Sequence, residues 1–155
     1  MLERIQTGCQ RGADLAGADA AISLGFPYSG WVPKGRRTET GPLENRYVVF
    51  EMPTTGYPPR TKKNICDSDG TVIFTHGALS GGSSLTRKYA RELGKPWVHI
   101  DFKKTGVEDA VNLLSIWVKD NGIKCLNVAG KSASKDNLIY DCVYRVISDL
   151  IVKNK

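Results

Sequence analysis

Residues 71–86 run Thr71-Val72-Ile73-Phe74-Thr75-His76-Gly77-Ala78-Leu79-Ser80-Gly81-Gly82-Ser83-Ser84-Leu85-Thr86, an apolar stretch that empties into a glycine-rich turn and opens a helix. A helix start carries unpaired backbone N–H groups and a partial positive charge, so it attracts anions. Gly81 and Gly82 let a phosphate approach that backbone closely. Ser80, Ser83, Ser84 and Thr86 add hydroxyls that can cap the helix or bond phosphate oxygens. A serine-capped turn between strand and helix explains the same residues equally well, so the rest of the chain must decide.

A second glycine turn, Gly8-Cys9-Gln10-Arg11-Gly12-Ala13-Asp14, lies near the N-terminus. It matches neither the Gly-x-Gly-x-x-Gly fingerprint nor a Walker loop. Gln10 offers an amide and Arg11 a fork of donors suited to phosphate or carboxylate. Asp14 in the first helical turn could grip a ribose hydroxyl, although satisfying the helix dipole is the simpler role. Cys9 reads as a small turn residue rather than a nucleophile, because no base stands near it in sequence. The segment Gly30-Trp31-Val32-Pro33-Lys34-Gly35-Arg36-Arg37 follows a strand, which directs it to the same crevice with Lys34 or Arg36, on either side of Gly35, as anion clamps. Arg60 and Asn64 are four apart and share a face if their segment is helical.

Asp67 and Asp69 are the best carboxylate pair. They could bind metal, act as acid and base, or cap a turn, and the turn is the expectation. Asp69, like Asp14, is also a candidate for ligand hydroxyls or amines. His76 follows a strand by two residues and could touch a ligand; His99 inside a strand reads as a core or edge histidine. No Ser/His/Asp order, nucleophile elbow or Cys/His cluster of zinc spacing is present, so no catalytic or metal-ligating residue is assigned.

These turns need a scaffold, and the chain alternates short apolar runs with segments of helical period. That pattern predicts strand–helix units around a mainly parallel sheet of about five strands: an α/β, Rossmann-like three-layer domain spanning residues 1–155. Strands are expected at residues 4–7, 28–32, 72–74, 97–100 and 124–128. Helices are expected at 13–24, after the Gly81-Gly82 turn as far as Gly94, around 107–118, and over a closing segment with Ile139, Val143, Val146 and Leu150 on one face. Residues 33–64 hold five prolines and little periodicity, apart from a candidate strand at 47–50, and are expected to form a functional loop. In such sheets ligands bind beyond the carboxyl ends of the strands, where strand order reverses. Both glycine turns follow strands, so both point to one crevice.

The 155 residues are 41% hydrophobic, enough for one domain with a substantial core. No apolar run reaches membrane-spanning length and the first residues lack a signal-peptide pattern, so a cytoplasmic protein is expected. Cys125 and Cys142 fall in apolar patterns and should be buried and reduced. The net charge of +6 suits an anionic partner such as nucleic acid, nucleotide or a phosphorylated cofactor.

Taken in order, these motifs resemble the putative molybdenum carrier family. That family belongs to a Rossmann-like superfamily with the lysine-decarboxylase-like phosphoribohydrolases and the DNA-processing protein A group. The matching residues are the Gly8–Asp14 turn, Gly30-Trp31-Val32-Pro33-Lys34-Gly35-Arg36-Arg37, Glu39 with Gly41-Pro42, Arg60-Thr61 with Asn64, and Asp67-Ser68-Asp69-Gly70-Thr71. Gly81-Gly82-Ser83 with Leu85-Thr86, Gly94-Lys95-Pro96, and Leu126-Asn127-Val128-Ala129-Gly130 with Ser134 complete the set. The resemblance implies a Rossmann-like fold, a homo-oligomer, and a pocket for a phosphorylated, nucleotide-like ligand such as molybdenum cofactor. Its first loop usually reads Gly-Gly-Gln-Thr-Gly-x-Asp-Arg; here Cys9, Arg11 and Leu15 replace the second glycine, the threonine and the arginine. The related hydrolases carry acidic residues soon after their Gly-Gly turn, whereas this chain has Leu85-Thr86-Arg87-Lys88. Hydrolase activity is therefore not carried over.

The expected function is a binding or carrier protein for that ligand, with Gly8, Gln10, Arg11, Gly12, Asp14, Lys34, Gly35, Arg36, Arg60, Asn64, Asp69, Gly81, Gly82, Ser83 and Thr86 around it. The alternatives are a nucleotide N-glycosidase or related hydrolase using Asp67 or Asp69, and a nucleic-acid module. The last is disfavoured because single-strand binders need exposed aromatics, and only Trp31 and Tyr57 look available.

Overall fold

A computed structural model describes residues 1–154. From the N-terminus its elements are β1 (Arg4–Thr7), α1 (Ala13–Ser23), β2 (Tyr28–Ser29), β3 (Trp31–Val32), a 3-10 turn at Lys34–Arg36, β4 (Arg37–Thr38), β5 (Gly41–Pro42) and β6 (Phe50–Glu51). Then follow α2 (Tyr57–Cys66), β7 (Gly70–Thr75), α3 (Gly81–Glu92), β8 (Trp97–Asp101), α4 (Val107–Asp120), β9 (Cys125–Gly130) and α5 (Ile139–Lys153). The main sheet has the order β2-β1-β9-β7-β8, and every neighbouring pair is parallel. This is the α/β three-layer arrangement read from the alternating pattern. Its central strand is the last one in the chain.

Side chains alternate between the faces of each strand, and the two faces differ. Ile5, Leu126, Val128, Val72, Phe74 and Ile100 pack with α1, α4 and α5 residues such as Ala16, Leu114, Val143 and Ile147 in one apolar core. On the other face Gln6, Asn127 and Thr71 stand side by side in register, in front of α2 and α3. There Gln6 Nε2 donates to Asn64 Oδ1 (2.9 Å) and Asn127 Nδ2 to Thr71 Oγ1 (3.2 Å). Asn64 also receives the Trp31 amide (2.9 Å) and donates to the Trp31 carbonyl (3.0 Å), so one α2 side chain ties that helix to two strands.

Residues 28–32 are not one strand. The chain leaves the main sheet at Gly30, where a Cβ would stand 1.8 Å from the Thr7 carbonyl oxygen, and β3 pairs instead with β6. The strand expected at 47–50 is reduced to Phe50–Glu51. Within 33–64 the structure holds a helix, α2, that the proline count argued against. Pro58 and Pro59 fall in its first turn, where no N–H is needed, so they start the helix instead of breaking it. Cys125 is buried as expected, Cys142 only partly so, and all four cysteines are free thiols. Among the described residues no helix is long and apolar enough to cross a membrane.

Candidate functional site

Because β9 lies between β1 and β7, the chain leaves the carboxyl ends of three adjacent strands at one place. A cavity of about 320 Å³ opens there. Its walls come from the β1 turn (Gly8, Gln10, Arg11), α2 (Arg60, Asn64), the start of α3 (Ser80, Gly82, Ser83, Thr86) and the loop after β9 (Gly130, Lys131, Lys135). Asp14, Glu39, Tyr57, Thr61, Asn127 and Ser132 complete the polar lining.

At the α3 end Ser80 is the cap residue. Its amide donates to Ser83 Oγ (2.9 Å), and the Ser83 hydroxyl donates back to the Ser80 carbonyl (2.7 Å). Thr86 Oγ1 donates to the Gly82 carbonyl (2.9 Å). Two of the four hydroxyls expected for a phosphate thus give their protons to the helix backbone, and the Ser83 and Ser84 amides turn back to the Ser80 carbonyl, which leaves the Gly81 and Gly82 amides as the backbone donors there. A Cβ on Gly82 would meet nothing within 4 Å, so that backbone faces open space. Lys131 Nζ reaches the Ser80 hydroxyl and carbonyl, and Lys135 Nζ lies 3.3 Å from where a Cβ on Gly81 would be. Two ammonium groups therefore flank the positive end of α3.

The opposite wall is built around a buried ion pair, Arg60 Nη1 to Asp14 Oδ2 at 3.1 Å. Burial pushes the Asp14 carboxyl up to about 6, and the Arg60 guanidinium offsets only part of that rise. Gly8 makes the pair fit, since a Cβ there would stand 1.8 Å from Arg60 Nη1. Gln10 donates to the Arg37 carbonyl (3.1 Å), linking the β1 turn to the long loop. Glu39 receives the amide (3.1 Å) and hydroxyl (2.7 Å) of Ser134, so two loops are clasped at the cavity rim. Cys9 is fully buried in left-handed backbone (φ 51°), with its thiol pushed up to about 12 by burial and then by Asp14. It takes the role of a turn residue.

Six expected ligand residues are not among the cavity walls. Asp69 sits at the amino end of β7, where Oδ2 accepts the amides of Lys124 (3.0 Å) and Cys125 (2.8 Å). It holds β9 at the far end of the sheet. Asp67 is at that end too, bound by the Trp31 indole (2.8 Å) and Lys63 (3.4 Å). Arg36 turns its guanidinium onto the carbonyls of Leu43, Glu44 and Tyr47, and so serves its own loop. Lys34 and Gly35 share that loop, which moved away when β3 left the main sheet; the Gly35 amide donates to Glu51 (2.9 Å). Gly12 (φ 114°) packs against the backbone of Lys131 and Ala133, and Gly81 turns the chain into α3 at φ 51°; both shape the walls without lining them.

His76 pairs with Asp136 (2.7 Å) instead of entering the cavity, and His99 Nε2 meets Thr75 Oγ1 (2.7 Å). Among the described residues no group of three or more His, Cys, Asp or Glu side chains could hold a metal. Sequence reasoning missed Lys131 and Lys135, and it did not place Tyr57 at the cavity. The available signal was Gly130 closing a strand with lysines one and five residues later, the same strand–glycine–cation order as Gly8 and Arg11.

Comparison with known proteins adds two findings. A crystal structure named "Putative molybdenum carrier protein", from Syntrophus aciditrophicus SB, matches with 44% identity over 97% of this chain and 95% of that one, at a TM-score of 0.95. No curated protein sequence matches the chain. The model of the circularly permutated YpsA SLOG family matches residues 5–151. Because that match spans nearly the whole chain, the chain belongs to the circularly permutated YpsA SLOG family.

Proposed function

We propose that this protein binds and carries a phosphorylated, nucleotide-like small molecule, with molybdenum cofactor as one candidate cargo. The observation that carries this reading is the α3 end of the cavity: an open glycine backbone at a helix N-terminus, flanked by Lys131 and Lys135. Backbone amides, a helix dipole and two ammonium groups converge where a phosphate would lie. The cavity volume is of the size that small-molecule sites have. The name of the Syntrophus relative favours a carrier, and molybdenum cofactor bears the phosphate this site would take.

The hydrolase alternative loses its residues, because Asp67 and Asp69 belong to the other end of the sheet. The two carboxylates at the cavity are already engaged, Asp14 with Arg60 and Glu39 with Ser134. Calorimetric titration with nucleoside monophosphates and with molybdopterin tests the proposal. Saturable one-to-one binding is expected, without release of free base. Turnover of a nucleoside monophosphate to free base would contradict it, and so would a preference for oligonucleotides that falls steeply with salt.

A further inference from the structure

Arg60 is anchored by only one of its hydrogen-bonding edges. Nη1 donates to Asp14, and the side chain lies over the bare backbone of Gly8. In a guanidinium, Nε–H and an N–H of the remaining nitrogen Nη2 form a second edge of two parallel donors. Here Nε is buried without a partner, and no group among the described residues receives Nη2. The residue is 9% exposed and forms part of the cavity wall. A buried N–H without an acceptor is costly, and because Arg60 belongs to the cavity wall, an occupant that supplies an acceptor to this edge relieves that cost.

We propose that this edge of Arg60 reads the ring of the bound molecule and selects heterocycles with a carbonyl oxygen beside a ring-nitrogen acceptor. That arrangement belongs to 6-oxopurines (O6 with N7) and to fully oxidised pterins (O4 with N5), whereas a reduced pterin sets an N5–H donor against the edge. The inference rests on the reading above, with the phosphate at α3 and the ring towards α2. Two arguments fix the class. Asp14 already balances the Arg60 charge, so a neutral pair of acceptors suits the free edge better than a second anion. An oxygen–nitrogen acceptor pair matches two parallel donors, as when arginine reads guanine, whereas adenine sets an amino donor against one of them.

Titration of the wild-type chain with inorganic phosphate, GMP, IMP, AMP, 7-deaza-GMP and a phosphorylated, fully oxidised pterin tests this. GMP and IMP should bind about tenfold or more tighter than AMP, and 7-deaza-GMP should fall towards AMP because one acceptor is gone. The GMP and pterin arms distinguish the two sources of the same edge. Arg60→Lys keeps a charge for Asp14 but removes the fork, and should level GMP with AMP. Nucleotide binding with AMP equal to or tighter than GMP would overturn the inference and leave the phosphate site standing. No binding of phosphate or any nucleotide would overturn the functional reading and this inference with it.

Discussion

The two faces of the main sheet are held by different physics. Towards α1, α4 and α5 the sheet shows Ile5, Leu126, Val128, Val72 and Phe74, and more than twenty buried apolar residues share one core. Towards α2 and α3 it shows Gln6, Asn127 and Thr71, held by a few directional hydrogen bonds: Gln6 to Asn64, which also binds the Trp31 backbone, and Asn127 to Thr71. The cavity opens on this polar side, with Arg60, Asn64, Thr86 and Asn127 in its wall. Apolar packing tolerates small rearrangements and gives stability. A polar layer costs stability wherever a partner is missing, but it fixes donors and acceptors in place, which a ligand site needs.

Removing bulk from the apolar face should have the largest effect. Phe74→Ala deletes a fully buried ring and should cost about 3–5 kcal/mol, read from chemical denaturation. On the polar face Asn64→Leu keeps a similar size but strands Gln6 Nε2 and both backbone groups of Trp31. It should cost about 2–3 kcal/mol, and a cost below about 0.5 kcal/mol would break the comparison.

Asp14 sharpens the contrast through pH. Its folded pKa is about 6 against an ordinary 3.8, so the folded state holds the proton more tightly than the unfolded chain does. Its contribution to stability is therefore fully present below pH 4 and is lost as pH rises through 6. Asp14→Asn should remove that slope, so the wild-type minus variant difference should change by on the order of 2 kcal/mol between pH 4 and 6. A difference that stays flat with pH would mean that Asp14 is not buried as described.

Smallest in stability is Lys135→Ala, a surface truncation expected to move unfolding by less than about 0.5 kcal/mol. It should nevertheless weaken phosphate binding, and more so at low salt. Unchanged phosphate affinity at low salt would remove Lys135 from the site.

How far these faces were legible depended on the kind of signal. The buried strands announced themselves as apolar runs, and β1 came out residue for residue because Gly8 ends it. Helix α2 was hidden because Pro58 and Pro59 look like breakers unless the helix start is known. Gly8, Gln10, Arg11, Asp14 and Gly82 follow strands or open helices, so topology alone brought them to one edge. Lys34 and Arg36 were misplaced by the same rule, since the close approach of Gly30 to Thr7 diverts β3, and no local pattern records it. Asp69 looked chemical because two carboxylates flanked a serine. Its task is to cap the β9 amides, a contact between residues 55 and 56 positions apart that sequence spacing does not reveal.

The most direct test of the central claim compares the two ends of the sheet by calorimetric titration with the tightest nucleoside monophosphate. Gly82→Glu adds a carboxylate where a Cβ meets open space, so the fold should keep its melting temperature while binding is abolished. Asp69→Asn, at the far end, should bind as the wild type does. Full affinity in a folded Gly82→Glu variant would contradict the placement of the phosphate at α3.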